Sequence, residues 1–160
     1  MTTTTHTTQA EIFAGNLFTW HVATPDVAVA EVIAQPGGEP ALHIHEREDE
    51  TYHVLAGELT FQRGDERFDA GPGDVVFLPR GVEHGFALRS DRAHLLLVAT
   101  PGGIEIPFHA LSEPALDGVP LAPRAGPPPD EAISAMVAAF GAYGIEFTGP
   151  PLPALLAARE

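Results

Sequence analysis

The stretch ALHIHEREDETYHVLAG, residues 41–57, contains two histidines separated by one residue and then a run of acidic residues. On a β-strand, side chains alternate between the two faces, so His43 and His45 project to the same side. The next β-prone segment repeats this alternation and places Glu50 and Tyr52 on a common face. If the two strands pair, Glu50 lies across from the histidines. The stretch therefore predicts two strands that bring imidazole and carboxylate groups to one surface.

These groups are typical metal ligands, and the chain offers a fourth in His84 of the segment LPRGVEHGF, where Gly81 lets the chain turn. Three imidazole nitrogens and one carboxylate oxygen leave open positions on an octahedral ion, as a catalytic metal requires. Fe, Mn, Ni, Co, Cu and Zn all tolerate such ligands, so the identity of the metal stays open. Glu48 and Asp49 are alternative carboxylate ligands, although their place in the turn favours solvent.

Composition excludes several other kinds of site. The 160 residues include no cysteine and no lysine, so disulfides, thiolate sites and Schiff-base lysines are excluded. The formal net charge is −14, from 8 arginines and 22 acidic residues. Because phosphate neutralisation dominates nucleic-acid binding, this charge argues against nucleic-acid and anionic-membrane partners. The N-terminus lacks the basic and apolar regions of a signal peptide, so we expect a soluble cytoplasmic protein.

Residues 16–100 form short β-prone segments punctuated by Gly, Pro and Asp, which predicts an all-β sandwich or barrel. Nine strands are predicted, from LFTWHV at residues 17–22 to HLLLVAT at residues 94–100. Large apolar side chains on these strands are candidates for the barrel interior: Leu59, Phe61, Phe77, Phe86, Leu88, Leu95 and Leu97.

The two ends of the chain differ from this pattern. Residues 1–14 are rich in threonine, and we expect them to form a disordered lead. Residues 101–160 begin with a Pro-rich stretch that predicts a meandering extension. A helix is predicted near residues 130–143, where apolar residues recur at helical spacing: Ile133, Met136, Val137 and Phe140. Its apolar face is expected to pack on the barrel or on a partner subunit.

Two motifs in the chain resemble those of the cupin superfamily. The first is Gly37-x5-His43-x-His45-x4-Glu50-x6-Gly57, and the second is Gly73-x5-Pro79-x-Gly81-x2-His84. Leu88 stands where the second motif usually ends in asparagine, which is not a ligand. The resemblance implies a double-stranded β-helix, or jelly-roll barrel, over residues 15–100. It also implies one divalent metal ion held by four ligands: His43, His45, Glu50 and His84.

Three segments carry a narrower likeness over nearly the whole chain: HIHEREDETYHVLAGELTF (43–61), GDVVFLPRGVEHGF (73–86) and, after the C-terminal helix, GIEFTGPPLP (144–153). They resemble small cupins grouped with quercetin 2,3-dioxygenase. This likeness implies a metal-dependent dioxygenase that acts with O2 on a flavonol-like or other enolisable hydroxylated aromatic compound. Glu50 would be the general base, and Tyr52 could hydrogen-bond the substrate or O2. Two alternatives stay open: a redox-neutral cyclase or isomerase of a polyketide-like intermediate, and a non-catalytic small-molecule-binding protein. Cupins are typically oligomeric, so a homodimer is expected.

Overall fold

The computed structural model describes residues 9–117, 119–122, 124 and 126–158. Twelve strands and three helices follow one another in this part of the chain: β1 (Gln9–Phe13), β2 (Asn16–Ala23), β3 (Ala28–Ala34), β4 (Ala41–His45), β5 (Asp49–Ala56), β6 (Leu59–Arg63), β7 (Glu66–Ala70), β8 (Val75–Leu78), β9 (His84–Leu88), β10 (Ala93–Thr100), α1 (Glu105–Leu111), β11 (Glu113–Pro114), α2 (Asp130–Gly141), β12 (Ile145–Pro151) and α3 (Leu152–Ala157).

The strands form two antiparallel sheets around one apolar core. The larger sheet has the order β11-β1-β2-β3-β10-β5-β8, and the smaller has the order β12-β4-β9-β6-β7. This arrangement confirms the predicted all-β jelly roll, and the nine predicted strands correspond to β2–β10. No helix of the described residues has the length and apolar content needed to cross a membrane.

The core is built by the alternation expected of sheets with one buried face. In β10, Leu95 and Leu97 are buried, as are Leu59, Phe61 and Phe86 on the smaller sheet. Their predicted inward positions are therefore confirmed.

Phe77 was expected inside the barrel as well, and that prediction is wrong. Phe77 lies on β8, the edge strand of the larger sheet, and is 49% exposed. On this strand Val76 and Leu78 take the inward positions, so the period-2 alternation sends Phe77 outward.

The N-terminal segment corrects the prediction of a disordered lead over residues 1–14. Residues 1–8 lie outside the described residues, but Gln9–Phe13 form β1, which pairs with β2. The buried Glu11 carboxylate accepts hydrogen bonds from Trp20 Nε1 at 2.8 Å and from His109 Nδ1 at 2.9 Å. These bonds attach β1 to the domain. The threonine-rich composition did not predict these hydrogen bonds or the pairing with β2, because the partner residues lie elsewhere in the chain.

The C-terminal segment is also more than an extension beyond residue 100. β12 pairs with β4 in the smaller sheet, with Ile145 opposite His45 and Phe147 opposite His43. The barrel limits predicted at residues 15 and 100 are therefore too narrow at both ends. α1 lies in the stretch that was expected to meander, whereas α2 confirms the predicted helix and ends at Gly141. Assembly into a homodimer stays a prediction.

α2 packs on the domain mainly through its C-terminal end. Phe140 is buried, and its ring lies 5.0 Å from that of Phe108 on α1 and 5.8 Å from that of Phe147 on β12, centroid to centroid. The rest of the helix is largely exposed, including Ile133 and Val137. The apolar face of α2 is therefore only partly used for packing.

The contrast between Phe61 and Phe77 gives a direct test of which face of each strand is buried. Phe61 is 0% exposed, so the Phe61→Ala variant is expected to lower the free energy of unfolding by about 3–5 kcal/mol. Phe77→Ala, the matched control on an outward position, is expected to change it by about 0.5 kcal/mol or less. Urea denaturation of both variants measures the difference. Equal losses would contradict the assignment of the two faces.

Candidate metal centre

The smaller sheet supplies three imidazoles. His43 and His45 lie on β4 with one residue between them, so both side chains point into the barrel. β9 pairs with β4 at the register His43 opposite His84, which brings the third ring beside the first two. The turn before β9 contains Gly81, which adopts a left-handed φ of +76° and whose N–H donates to the His45 carbonyl at 2.8 Å.

The carboxylate comes from the opposite sheet. Glu50 lies on β5, which pairs with β10 and β8 in the larger sheet and not with β4. The strands of His45 and Glu50, whose pairing the sequence left open, therefore lie in different sheets. The four-residue link between the two side chains crosses from one sheet to the other. Glu50 meets the histidines across the barrel interior, so these side chains join the two sheets.

The four side chains converge closely. Each of them offers one ligand atom, and these atoms all lie within 4.8 Å of one another. Glu50 Oε2 lies 2.9 Å from His84 Nε2 and 3.4 Å from His45 Nε2. All four residues are buried. We refer to His43, His45, Glu50 and His84 as the histidine–glutamate cluster.

The orientation of the rings fits a metal ion. The Nδ1 atom of each histidine is held from outside the cluster: that of His43 by the Ala41 carbonyl at 2.7 Å and that of His84 by the Val82 carbonyl at 3.0 Å. A ring that donates its Nδ1–H to a carbonyl leaves the Nε2 lone pair free to bind a metal. The donor set, its burial and these outer hydrogen bonds therefore suit a divalent transition metal ion.

The third histidine has a different outer partner. His45 Nδ1 lies 3.2 Å from Oε2 of Glu48, a buried carboxylate in the loop between β4 and β5. Sequence reasoning considered Glu48 and Asp49 only as substitutes for Glu50. The structure brings neither into the histidine–glutamate cluster, because Asp49 pairs with Arg80 at 2.8 Å and Glu48 lies behind the His45 ring. The sequence therefore did not predict that Glu48 is buried within this acidic turn.

The electrostatics of the cluster keep His43 neutral and Glu50 ionised. Burial, with the neighbouring His84 and His45, lowers the pKa of His43 to about 3. Burial alone would raise the pKa of Glu50, but the nearby imidazoles, above all His45 and the hydrogen-bonded His84, outweigh it and hold this pKa at about 2. Burial opposes protonation of His45 as well, yet the Glu50 and Glu48 carboxylates raise its pKa above the usual value.

The cluster opens into an apolar cavity of about 830 Å³. His43, His45, Glu50 and Tyr52 line one part of it. The remaining walls are mainly aromatic and aliphatic and come from the barrel, the N-terminal strand and the C-terminal segment: Phe13, Phe18, Val32, Phe86, Ile104, Phe108, Leu111, Ile133, Met136, Phe140, Ile145 and Phe147. We call this space the aromatic cavity. The apolar face of α2 contributes to it, which the sequence did not predict.

Tyr52 faces the aromatic cavity from the same face of β5 as Glu50. Its ring packs between those of Phe61 and Phe86, with centroids 6.0 and 5.9 Å away. Burial and the negative charge of Glu50 raise the pKa of the Tyr52 hydroxyl well above its usual value. The hydroxyl therefore stays protonated and can donate a hydrogen bond to a molecule in the cavity.

Comparison with known proteins agrees with this architecture. A family profile described as a cupin domain matches residues 30–101, a range that contains the whole histidine–glutamate cluster. Residues 30–101 of this chain therefore form a domain of the cupin superfamily. The resemblance predicted from the two motifs is thereby confirmed.

Two curated relatives match parts of this chain. The quercetin 2,3-dioxygenase of Bacillus subtilis is 31% identical over 72 residues, which are 45% of this chain and 21% of that protein. An uncharacterised protein of Methanocaldococcus jannaschii is 30% identical over 57 residues, 36% of this chain and 46% of that protein. The matched part of the cupin thus spans less than half the length of either relative.

Solved structures of the same fold include several cupin-like proteins. KdgF from Halomonas has a TM-score of 0.54 at 23% identity, covering 57% of this chain and 84% of that one. Streptomyces PAC13 with uridine has a TM-score of 0.56 at 22% identity, covering 66% and 87%. PAC13 is described as a nucleoside dehydratase. At these identities the likeness concerns the fold alone.

Removal of a single imidazole tests the metal centre. In His43→Ala and His84→Ala, we expect the metal content of protein purified without added metal to fall at least about tenfold, because each variant loses one ligand. His53→Ala is the control, since His53 lies on the outward face of β5. Elemental analysis measures bound metal per chain. Equally low metal in the wild type and both ligand variants would contradict the assignment.

The pH dependence of the metal-free protein follows from the depressed pKa of His43. The unfolded chain binds this proton below a pKa of 6.5 but the folded chain only near 3, so His43 makes folding less favourable as pH falls through this window. Between pH 7 and pH 5 this contribution amounts to about 2 kcal/mol. The His43→Asn variant should therefore lose less stability than the wild type over that range. Chemical denaturation at both pH values, with His53→Asn as control, measures it; equal losses would contradict the prediction.

Proposed function

We propose that this cupin is a metal-dependent dioxygenase that acts on a flavonol-like or other enolisable hydroxylated aromatic compound. The observation that carries the proposal is the meeting of the histidine–glutamate cluster with the aromatic cavity. The ligand residues offer polar chemistry in one part of a space whose other walls are mainly apolar, although Asn16, Glu39 and Arg124 also line it. Similarity to the quercetin 2,3-dioxygenase of Bacillus subtilis over 72 residues supports the choice of reaction.

The walls of the cavity favour an aromatic substrate over a sugar or nucleoside. Phenylalanine rings pack face or edge against planar ligands. Hydroxyl groups of a sugar would need polar partners, but the cavity offers few outside the cluster. One of them, Asn16, is already occupied, since its amide donates to the Gly38 carbonyl and accepts from the Gln35 N–H. A hydroxylated aromatic needs polar contacts only where it reacts.

His43, His45, Glu50 and His84 would hold the metal ion, whose chemistry would be the Lewis-acid polarisation of the substrate hydroxyl and the activation of O2. A pKa of about 2 keeps Glu50 ionised at neutral pH, as its roles as ligand and base both require. So weak a base takes a proton only from a hydroxyl whose own pKa has been lowered. Glu50 would therefore act as a base only on a phenol or enol that the metal ion has made acidic.

Tyr52 would act beside Glu50. Its protonated hydroxyl can donate a hydrogen bond to an oxygen of the bound substrate or to O2. The aromatic cavity walls would orient the substrate ring and exclude water from the reacting atoms. In this arrangement the polar groups direct the reaction and the apolar groups set the position of the substrate.

A redox-neutral cyclase or isomerase of a polyketide-like intermediate is the second candidate. Tyr52 favours it, because a tyrosine that stays protonated beside a carboxylate can serve as an acid–base pair without any oxidant. PAC13, described as a nucleoside dehydratase, shares the fold, so the fold is compatible with chemistry other than oxygenation. A flat polyketide-like intermediate would suit the same cavity. The two candidates differ in their need for O2.

An oxygen-dependence assay separates the candidates. The protein is loaded with each of Fe, Mn, Ni, Co, Cu and Zn and incubated with quercetin, with and without O2. We expect turnover in air that disappears under anaerobic conditions, with consumption of one O2 per substrate molecule. Turnover that persists without O2 would support the cyclase or isomerase, and binding without any product would support a non-catalytic function.

Variants of Glu50 and Tyr52 test their roles in the proposed reaction. Glu50→Ala should abolish turnover, and Tyr52→Phe should lower kcat by about 10- to 100-fold while the metal content stays at the wild-type level. Steady-state kinetics and elemental analysis of the same preparations measure both quantities. A Glu50→Ala variant with full activity and full metal content would refute its role as base and ligand.

A further inference from the structure

Glu48 is a buried carboxylate outside the histidine–glutamate cluster. It lies in the acidic loop between β4 and β5, yet it is only 3% exposed, whereas Glu46 in the same loop is exposed. Its Oε2 lies 3.2 Å from Nδ1 of His45. Burying an ionised carboxylate is costly unless it is paired, so the burial of Glu48 points to a compensating partner.

The outer partners of the three histidines are not equivalent. His43 and His84 each face a backbone carbonyl two residues earlier in the chain, which is a neutral dipole. His45 faces a carboxylate instead. A carboxylate at Nδ1 orients the imidazole and increases the electron donation of Nε2 toward a metal ion.

Among the residues that the structure describes, no arginine accounts for the burial of Glu48. Arg80 is close enough to be influenced by the charge of Glu48, but its guanidinium pairs with Asp49, with Nη2 to Oδ2 at 2.8 Å and Nε to Oδ1 at 3.1 Å. Among the described residues, the side chain of Glu48 makes its hydrogen bond and ion pair with His45. Glu48 is therefore directed at the cluster.

The charge of the site explains what Glu48 would contribute. A divalent ion bound by three neutral imidazoles and the Glu50 carboxylate leaves a net charge of +1 in a buried position. The Glu48 carboxylate behind His45 brings the sum to zero. Because uncompensated charge is strongly disfavoured away from water, a second carboxylate should strengthen metal binding.

We propose that Glu48 is a positioning residue that fixes the His45 ring and, through its negative charge, raises the affinity of the histidine–glutamate cluster for a divalent transition metal ion. This inference rests on the metal centre of the proposed function. It assigns no part in the reaction to Glu48, which acts only through His45.

The experiment measures the affinity for Co²⁺ by competition with a chelating indicator in four proteins: wild type, Glu48→Gln, Glu48→Ala and Glu46→Gln. Glutamine keeps an acceptor oxygen for the His45 Nδ1–H but removes the charge. We expect Glu48→Gln to bind Co²⁺ about 10- to 100-fold more weakly and Glu48→Ala at least as weakly. Glu46→Gln removes the same charge from an exposed position and should stay within about twofold of the wild type.

Two further readouts separate a change in the metal site from a loss of folding. Thermal unfolding of the metal-free variants checks that each is folded, and the visible absorption of bound Co²⁺ should shift in Glu48→Gln because His45 becomes a weaker donor. If Glu48→Gln does not fold, Glu48→Asp keeps the charge but shortens the side chain, and it should bind Co²⁺ less tightly than the wild type.

The outcomes distinguish this inference from the proposed function. Wild-type protein that binds Co²⁺ together with a Glu48→Gln variant of equal affinity overturns the role of Glu48 and leaves the metal centre intact. An equal loss in Glu46→Gln also overturns it, because the effect would then belong to overall charge. Absence of Co²⁺ binding by the wild type overturns both proposals.

Discussion

The burial of the Glu50 carboxylate between two sheets is the constraint on which the rest of the site depends. An ionised carboxylate without partners in an apolar interior is strongly disfavoured, and Glu50 is surrounded by imidazoles that oppose this cost. The imidazoles in turn need fixed orientations, which the hydrogen bonds at Nδ1 provide. The strand register that sets His43 opposite His84 is thus a requirement of the site as well as of the sheet.

The aromatic cavity depends on parts of the chain that lie outside the matched cupin domain. Phe13 precedes that region, whereas Phe108, Phe140 and Phe147 follow it. Their rings contact one another, with Phe13 and Phe108 4.9 Å apart between centroids. The cupin barrel provides the polar cluster, and the flanking segments provide much of the apolar wall. Differences in those segments between relatives would therefore change the shape of the cavity without changing the ligand residues.

Local patterns in the sequence were sufficient to predict which residues form the histidine–glutamate cluster. The alternation of strand residues placed His43 and His45 on one face and Glu50 on the inward face of the next strand, and the motifs added His84. What the sequence could not supply was long-range pairing. Nothing local indicates that the strands of His45 and Glu50 belong to different sheets, or that Ile145, far along the chain, lies opposite His45.

The absence of long-range information in local sequence patterns also explains the wrong predictions for individual side chains. Phe61 and Phe77 look alike in the sequence, since each lies in a β-prone segment, but only the neighbours in the sheet decide which face is covered. Glu48 looks like a solvated turn residue because other acidic residues surround it. Its burial follows from the path of the loop behind the His45 ring.

The division of the cluster between the two sheets has a mechanical consequence. Three imidazoles belong to one sheet and the carboxylate to the other, so the distance between the sheets is also a distance between ligands. An ion held by all four groups would act as a clamp that resists separation of the barrel walls. By thermodynamic reciprocity, a bulky guest that spreads the walls would loosen the ion, and a tightly held ion would penalise such a guest. The metal would then help to decide how large a molecule the barrel accepts.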